Sequence, residues 1–226
     1  MEFERFELLI GDKINVIKNK TVLVLGVGGV GGYVVEGLAR SAIGHLILVD
    51  FDNVDITNIN RQIIATHSNI GKSKVMCFKE RIKDINPNCQ VDVLNIFYGE
   101  DNKDVIFDYP IDYIVDCCDS LESKKILIME AVKRKIPIIS SMGTGNKFHP
   151  ECFSITKLKK TEYDPLAKKL RYLLKDEKEC LETMVIYSKE KPVKGIEKIG
   201  SVSYVPSVVG LMLAGYVINS FLEKEA

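Results

Sequence analysis

Leu23 to Arg40 reads LVLGVGGVGGYVVEGLAR: an apolar run, five glycines between Gly26 and Gly32, then a helical pattern. Glycine inside a helix costs about 1 kcal/mol relative to alanine, so such a cluster needs a demand on the backbone that only glycine meets. Gly26, Gly28 and Gly31 form G-x-G-x-x-G, with Gly29 inside it. The motif lies between TVLVLG, a buried strand by pattern, and a helix over Gly29 to Ala42 with Val30, Val34, Leu38 and Ala42 on one stripe. In that setting the first glycine permits a tight turn, the second lets a phosphate approach, and the third lets the helix pack on the strand. The phosphate then meets amide donors at a helix N-terminus. Asp50 closes the next apolar run, HLILVDFD. It lies about 20 residues beyond the loop, the spacing of a carboxylate that accepts ribose hydroxyls.

Working outward, a helix is predicted over Phe6 to Ile17, another from about Ser73 to Ile85, and a third over Ser123 to Lys135. QVDVLNI, DYIVDCCD and IPIISSMG read as strands. This alternation predicts an α/β fold: a Rossmann-like, mostly parallel sheet flanked by helices. After SMGTGNK, the strands CFSITKL and TMVIYSK lack a returning helix and are predicted to extend the sheet in antiparallel fashion. One domain over 1–226 is expected, with a nucleotide-binding half at 1–146. Residues 147–226 then hold the extension, a basic segment and a C-terminal helix. In SVSYVPSVVGLMLAGYVINSFL, Ser203, Ser207 and Asn219 leave the uninterrupted apolar part below the roughly 20 residues of a bilayer span. Pro206 reads instead as the first turn of a buried helix starting near Ser207, and no membrane span is expected. MEFERFELLIGDK carries no export signal. Among six cysteines there is no C-x-x-C pair, which speaks for reduced thiols in the cytoplasm and against a zinc knuckle. The formal net charge of +0 excludes a globally polyanion-binding chain.

The charges that follow Asp50 narrow the ligand. In DFDNVDITNINRQIIATHSNIGKSK, Asn58 and Arg61 lie one helical turn apart. Lys74 opens a helix, where the dipole adds positive potential. Asp50 and Asp52 would repel a ribose 2′-phosphate, so Arg61 and Lys74 point to the outer phosphates of a triphosphate. A triphosphate brings Mg²⁺, which takes oxygen ligands and keeps several waters. Asp116 and Asp119 end YIVDCCD at the carboxyl edge of the sheet, where ligands bind in such folds. Asp119 begins the loop and can reach a ligand; Asp116, still in the strand, is set to cap neighbouring amides. Cys117 and Cys118 read as packing residues. Lys157 to Lys198 holds Lys+Arg 12 against Asp+Glu 8. Within it Lys168, Lys169, Arg171 and Lys175 span three turns, with Tyr163 and Tyr172 as stacking surfaces. This is either a solvated helix face or a surface for nucleic-acid phosphates, whose binding would fall steeply with salt.

GVGGVGGY, DFDNVDITNINRQ, GKSK and DCCDS together resemble the adenylation domain of the ThiF/MoeB/ubiquitin-activating superfamily. Members of that superfamily use ATP to turn a carboxylate into an acyl-adenylate. The resemblance implies Asp50 at the ribose with Asp52 beside it, Asn58, Arg61 and Lys74 on the phosphates, and Asp119 on Mg²⁺. It also implies a homodimer in which Arg5, from ERFELLIG, enters the partner's ATP site. SSMGTGNK, KTEYDPLAKKLR, VIYSKEKP and GSVSYVPSVVGLMLAG resemble one branch, the tRNA threonylcarbamoyladenosine dehydratases, over essentially the whole chain. That branch implies adenylation of the threonyl carboxylate of the modified adenosine in tRNA, attack by an internal nitrogen or oxygen, release of AMP and net loss of water. A monovalent cation at SSMGTGN and a cysteine desulfurase partner are further implications.

The chain departs from the branch at three places. DCCDS has two cysteines where small residues are common, KFHPECF leaves His149 unassigned, and Cys180 aligns with a cysteine of some relatives although ring closure needs no thioester. The nearest alternative is a ThiF/MoeB-type activator of a ubiquitin-like sulfur carrier, which commonly carries the C-x-x-C pairs missing here. A nucleotide-binding scaffold for a desulfurase and an NAD-dependent oxidoreductase are the other readings, and Arg61 and Lys74 disfavour the last.

Overall fold

A computed structural model describes residues 2–193, 195 and 198–223. At the start of the chain, the helix predicted from Phe6 is split into α1 (Glu4–Ile10) and α2 (Ile14–Ile17) by a single 3-10 turn whose first residue, Gly11, has φ +60°. β1 (Thr21–Leu25), α3 (Gly31–Ala39), β2 (His45–Val49), α4 (Lys74–Ile85) and β3 (Gln90–Leu94) follow. The next elements are β4 (Tyr113–Asp116), α5 (Leu121–Lys133), β5 (Ile138–Ser141) and β6 (Phe153–Lys157). The chain then forms α6 (Pro165–Leu173), β7 (Met184–Ser188) and α7 (Tyr204–Glu223).

The seven strands form one sheet in the order β3-β2-β1-β4-β5-β7-β6. The expected antiparallel extension is realised in the β6–β7 pair, while β7 itself runs parallel to β5. β6 runs back from the carboxyl edge of β5, so a strand that lies between them and opposes β6 must run with β5. The residues of β1 are all buried, as expected of strands covered on both faces, which read as unbroken apolar runs. One face packs Val22, Val24 and Leu46 against Val34, Leu38 and Phe78 of α3 and α4 and Val209 and Leu213 of α7. The other packs Leu23, Leu25 and Ile47 with Leu127 of α5 and Leu170 of α6.

Helix α7 begins three residues before the predicted Ser207, with Pro206 in its first turn, where a missing N–H has no intrahelical partner to lose. By length and composition α7 could cross a membrane. Yet Val205, Val209, Leu213, Val217 and Phe221 are buried in the core. Its contact with α3 is close: a Cβ added to Gly210 would stand 2.4 Å from the Val30 carbonyl oxygen and 2.7 Å from Tyr33 Cβ. The near atom is backbone, so Gly210→Ala must push α7 away from α3. We expect a loss of about 1–3 kcal/mol, the range of overpacked cores, measured by urea unfolding; an unchanged midpoint would show that α7 slides freely on α3.

Candidate active site

A cavity of about 560 Å³ opens at the carboxyl edge of the parallel strands. It lies where the strand order turns from β1 outward to β4, the place where open α/β sheets bind ligands. The glycine loop forms its floor. Gly26 has φ +82°, a region that side chains disfavour, and its N–H donates to the Val49 carbonyl at 2.8 Å. Gly26, Gly28 and Gly29 line the cavity. Gly31 serves packing instead: a Cβ there would stand 1.8 Å from the Gly26 carbonyl oxygen.

Asp50, Asp52, Asn58, Arg61, Lys74 and Asp119 line the same cavity. The Asp50 carboxylate accepts the N–H of Val27 at 2.8 Å and of Asp52 at 2.9 Å, which aims it across the loop. Burial pushes its pKa up, and the Asp52 amide, the Lys74 ammonium and the Val27 amide only partly counter that. Lys74 is 4% exposed and binds Asp52 at 2.7 Å. An ammonium has three donors, and Asp52 takes one. Asn58 ends a 3-10 turn, Ile56–Asn58, and Arg61 lies in the turn just after it, so neither sits on an α-helix. The Asn58 carboxamide oxygen accepts the Asp55 N–H at 3.1 Å. Arg61 Nη1 donates to the Thr57 carbonyl at 2.9 Å and to Asn60 Oδ1 at 3.0 Å, which steers the guanidinium.

Gln62, the next residue, had no assigned role in the sequence. It is buried, lines the cavity, and its Oε1 has no hydrogen-bond partner among the described residues. Buried polar atoms are normally satisfied, so this orphan is what a ligand hydroxyl or amino group would answer.

Beneath the cavity, Asp116 does cap an amide, accepting Cys118 N–H at 3.2 Å, as expected. Its second oxygen meets a partner that sequence reasoning missed: Lys124 of α5, at 3.0 Å, with Ser140 Oγ of β5 donating at 2.5 Å. Asp116, Lys124 and Ser140 are all fully buried. Burial works against the Lys124 ammonium, but the groups around it, Asp116 first among them, together outweigh this and hold its pKa above the ordinary lysine value. The residue spacing carries no cue for this pair, because a lysine eight positions away on the next helix is ordinary. The pair fastens the end of β4, from which Asp119 reaches the cavity.

The remaining residues separate cleanly. Cys117 and Cys118 line the wall, and burial pushes both thiols well above the ordinary value, which suits packing and not nucleophilic attack. Cys180 is buried in the core with Leu127 and Leu170, away from the cavity, and burial raises its pKa too. His149 is an exposed turn residue whose Nδ1 pairs with Glu151 at 2.9 Å. Arg5 is exposed on α1 and does not line this chain's cavity; Leu8 and Leu9 beside it are 81% and 82% exposed. In the basic segment Lys168, Lys169 and Lys175 are exposed, as are Tyr163 and Tyr172. Arg171 is not free with them, since it donates to the Thr161 carbonyl at 2.9 Å and fastens that loop.

Among the described residues no three His, Cys, Asp or Glu side chains gather as a metal set. Asp119 alone on its wall, facing a cavity with cationic walls, fits Mg²⁺, which is held by one or two carboxylates plus substrate phosphates and waters.

The model of the ThiF family matches residues 4–226. The chain belongs to the ThiF family. It is 43% identical to a tRNA threonylcarbamoyladenosine dehydratase of Bacillus subtilis, over 98% of this chain and 95% of that one. The Escherichia coli enzyme of the same name is 39% identical over 75% of this chain and 63% of that one. Crystal structures of E. coli TcdA, a tRNA N6-threonylcarbamoyladenosine dehydratase, in complex with ATP and with AMP superpose with a TM-score of 0.94, covering 99% of this chain at 33% identity. These similarities place this ThiF member in the dehydratase branch.

Lys124 provides a check on the site's foundation. Lys124→Met leaves Asp116 buried without its cation, which costs about 3–5 kcal/mol; urea unfolding should show that loss, and adding Asp116→Asn should return part of it. A single variant as stable as the parent would remove the pair from the foundation.

Proposed function

We propose that this protein uses ATP to dehydrate threonylcarbamoyladenosine in tRNA, closing its threonyl arm into a ring. The observation that carries the reading is the pairing of Asp50, a ribose acceptor, with Arg61 and Lys74 on the wall of one glycine-floored cavity. A dinucleotide would leave those two cations surplus, whereas three linked phosphates need them. The 43% identity over nearly the whole chain to a named dehydratase supports the substrate.

In this reading Asp50 accepts the ribose hydroxyls, with Asp52 holding Lys74 in place. The loop amides and Asn58, Arg61 and Lys74 bind the phosphates. Asp119 would hold Mg²⁺, which neutralises charge on the phosphates when bound. The threonyl carboxylate attacks the α-phosphorus, the bond to the β-phosphate oxygen breaks, and pyrophosphate leaves. An internal N–H or O–H of the substrate then attacks the activated carbonyl, a proton is lost, and AMP departs. Two anions must be brought together, so the work of the side chains is positioning and charge neutralisation, not covalent catalysis. In the proposed homodimer, Arg5 of each protomer completes the other's site, and the exposed Leu8 and Leu9 on the same helix would be covered by that partner. Lys168, Lys169 and Lys175 would contact tRNA phosphates. The setting proposed is the cytoplasm, in keeping with the six free thiols.

The test is incubation with ATP, Mg²⁺ and tRNA bearing the modified adenosine, followed by mild digestion and mass measurement of the nucleosides. Loss of one water per modified adenosine is expected. Transfer of AMP to the C-terminus of a small carrier protein instead would favour the sulfur-carrier reading. Asp119→Ala should abolish turnover with the fold intact; full activity would remove Asp119 from the site.

The raised Asp50 pKa sets a pH dependence. Asp50 must be ionised to accept the ribose hydroxyls, and protonation removes that capacity. Its pKa lies above the ordinary 3.8, so affinity for ATP and AMP falls as pH drops through that raised value, earlier than an ordinary aspartate would allow. Calorimetric titration across that range should show the fall for both nucleotides and not for inorganic tripolyphosphate, which has no ribose. Equal pH dependence for all three would displace Asp50 from the ribose.

A further inference from the structure

One short helix serves two places. α6 puts Leu166 in the cavity wall and carries Lys168 and Lys169 exposed on the outside. Its first turn is fastened by Asp164, the N-cap, whose Oδ1 accepts the Ala167 N–H at 3.0 Å. The other oxygen of Asp164 accepts from Lys147 Nζ at 3.0 Å. Both side chains are essentially removed from water, at 1% and 0% exposure. The same ammonium donates to the carbonyl of Gly143, and Gly143, Thr144 and Gly145 form a stretch of the cavity wall. The residues just before the two partners, Asn146 and Tyr163, both have φ +58°. Non-glycine residues stay in that region only where their surroundings enforce it.

A buried ion pair is a poor source of stability, because desolvation offsets the attraction; its best-attested use is to specify register. Here the two segments it registers are the wall of the nucleotide cavity and the helix that faces outward with basic residues. We propose that Lys147 and Asp164 are positioning residues: their pair sets α6 against the Gly143–Gly145 wall, so that RNA held on Lys168 and Lys169 delivers its carboxylate in line with the bound nucleotide. The proposal rests on the tRNA reading above. It assigns neither residue to the chemistry, since neither lines the cavity.

The double variant Lys147→Met/Asp164→Asn tests it. Asparagine keeps the N-cap, methionine keeps the stem, and no lone charge is left buried. Thermal unfolding, ATP binding by calorimetry, tRNA binding by filter retention and single-turnover dehydration are measured on parent and variant. The expected result is a folded protein with unchanged affinities for ATP and for tRNA. Its turnover should fall by about 10²-fold, the loss that a misplacement of about 1 Å can cause. Parental turnover in the variant would overturn the positioning role, and so would a loss of turnover matched by lost nucleotide affinity, because the pair would then be scaffold only. A parent protein that binds tRNA but dehydrates none of it would overturn the functional reading itself, a different outcome from either.

Discussion

Among the described glycines the tightest constraint is the contact between the start of α3 and Gly26, the residue that follows β1. The Gly26 carbonyl oxygen stands 1.8 Å from where a Gly31 Cβ would be. No side chain fits, so the helix lies directly on the strand and its first amides are brought to the floor of the cavity. The consequences spread from there. Asp50, on the neighbouring strand end, can accept the Val27 N–H only because the loop is folded this tightly. α7 can approach α3 as closely as it does only because Gly210 meets the Val30 carbonyl at the same helix start. A backbone contact thus sets the cavity floor, the Asp50 carboxylate and the covering helix together.

Around that floor three lysines are buried among the described residues, each with one aspartate: Lys74 with Asp52, Lys124 with Asp116, and Lys147 with Asp164. Such pairs cost desolvation energy that their attraction barely recovers, so stability alone does not explain three of them about one cavity. They differ in what they leave available. Asp52 is half exposed, and Lys74 lines the cavity with donors to spare. Lys124 and Asp116 are sealed, with Ser140 and the Cys118 amide completing the carboxylate's partners. The first pair is suited to meet an anion; the sealed one is suited to hold the strand end from which Asp119 projects.

Much of this was legible in the sequence, and the limits have physical causes. Gly26, Gly28, Asp50, Arg61 and Lys74 announce themselves because each sits in a local pattern: a strand end, a turn, a helix start. The parallel sheet follows from the same alternation. Lys124 and Lys147 gave no such signal, since their partners lie on other elements and only the assembled sheet brings them together. Arg171 read as a surface cation because helical spacing says nothing of the Thr161 carbonyl it reaches across the loop. Gln62 lay inside a recognised motif, yet its meaning depends on an unsatisfied oxygen, which is a property of packing. The direction of β7 was the least legible feature, because it depends on which strand it lies between and not on its own residues.

The cavity is built from two parts of the chain with different duties. Residues from Leu25 to Lys74 and from Ile96 to Ser123 supply the glycine floor, the carboxylates and the cations. Residues from Ser141 to Gly145, together with Leu166, Ile199, Ser201 and Pro206, supply the other wall. That wall offers small, apolar and hydroxyl groups and no charge, so it does little for a triphosphate. Its surface suits the uncharged portion of an acceptor entering beside the nucleotide. In the proposed reaction the second part would meet the acceptor, whereas the first would hold ATP. Asn146 carries that division into the backbone: it bonds Gly200 through both its amide and its side chain, joining the loop after β5 to the segment that leads into α7. That second wall is a single fastened unit, assembled from strand, loop and helix start.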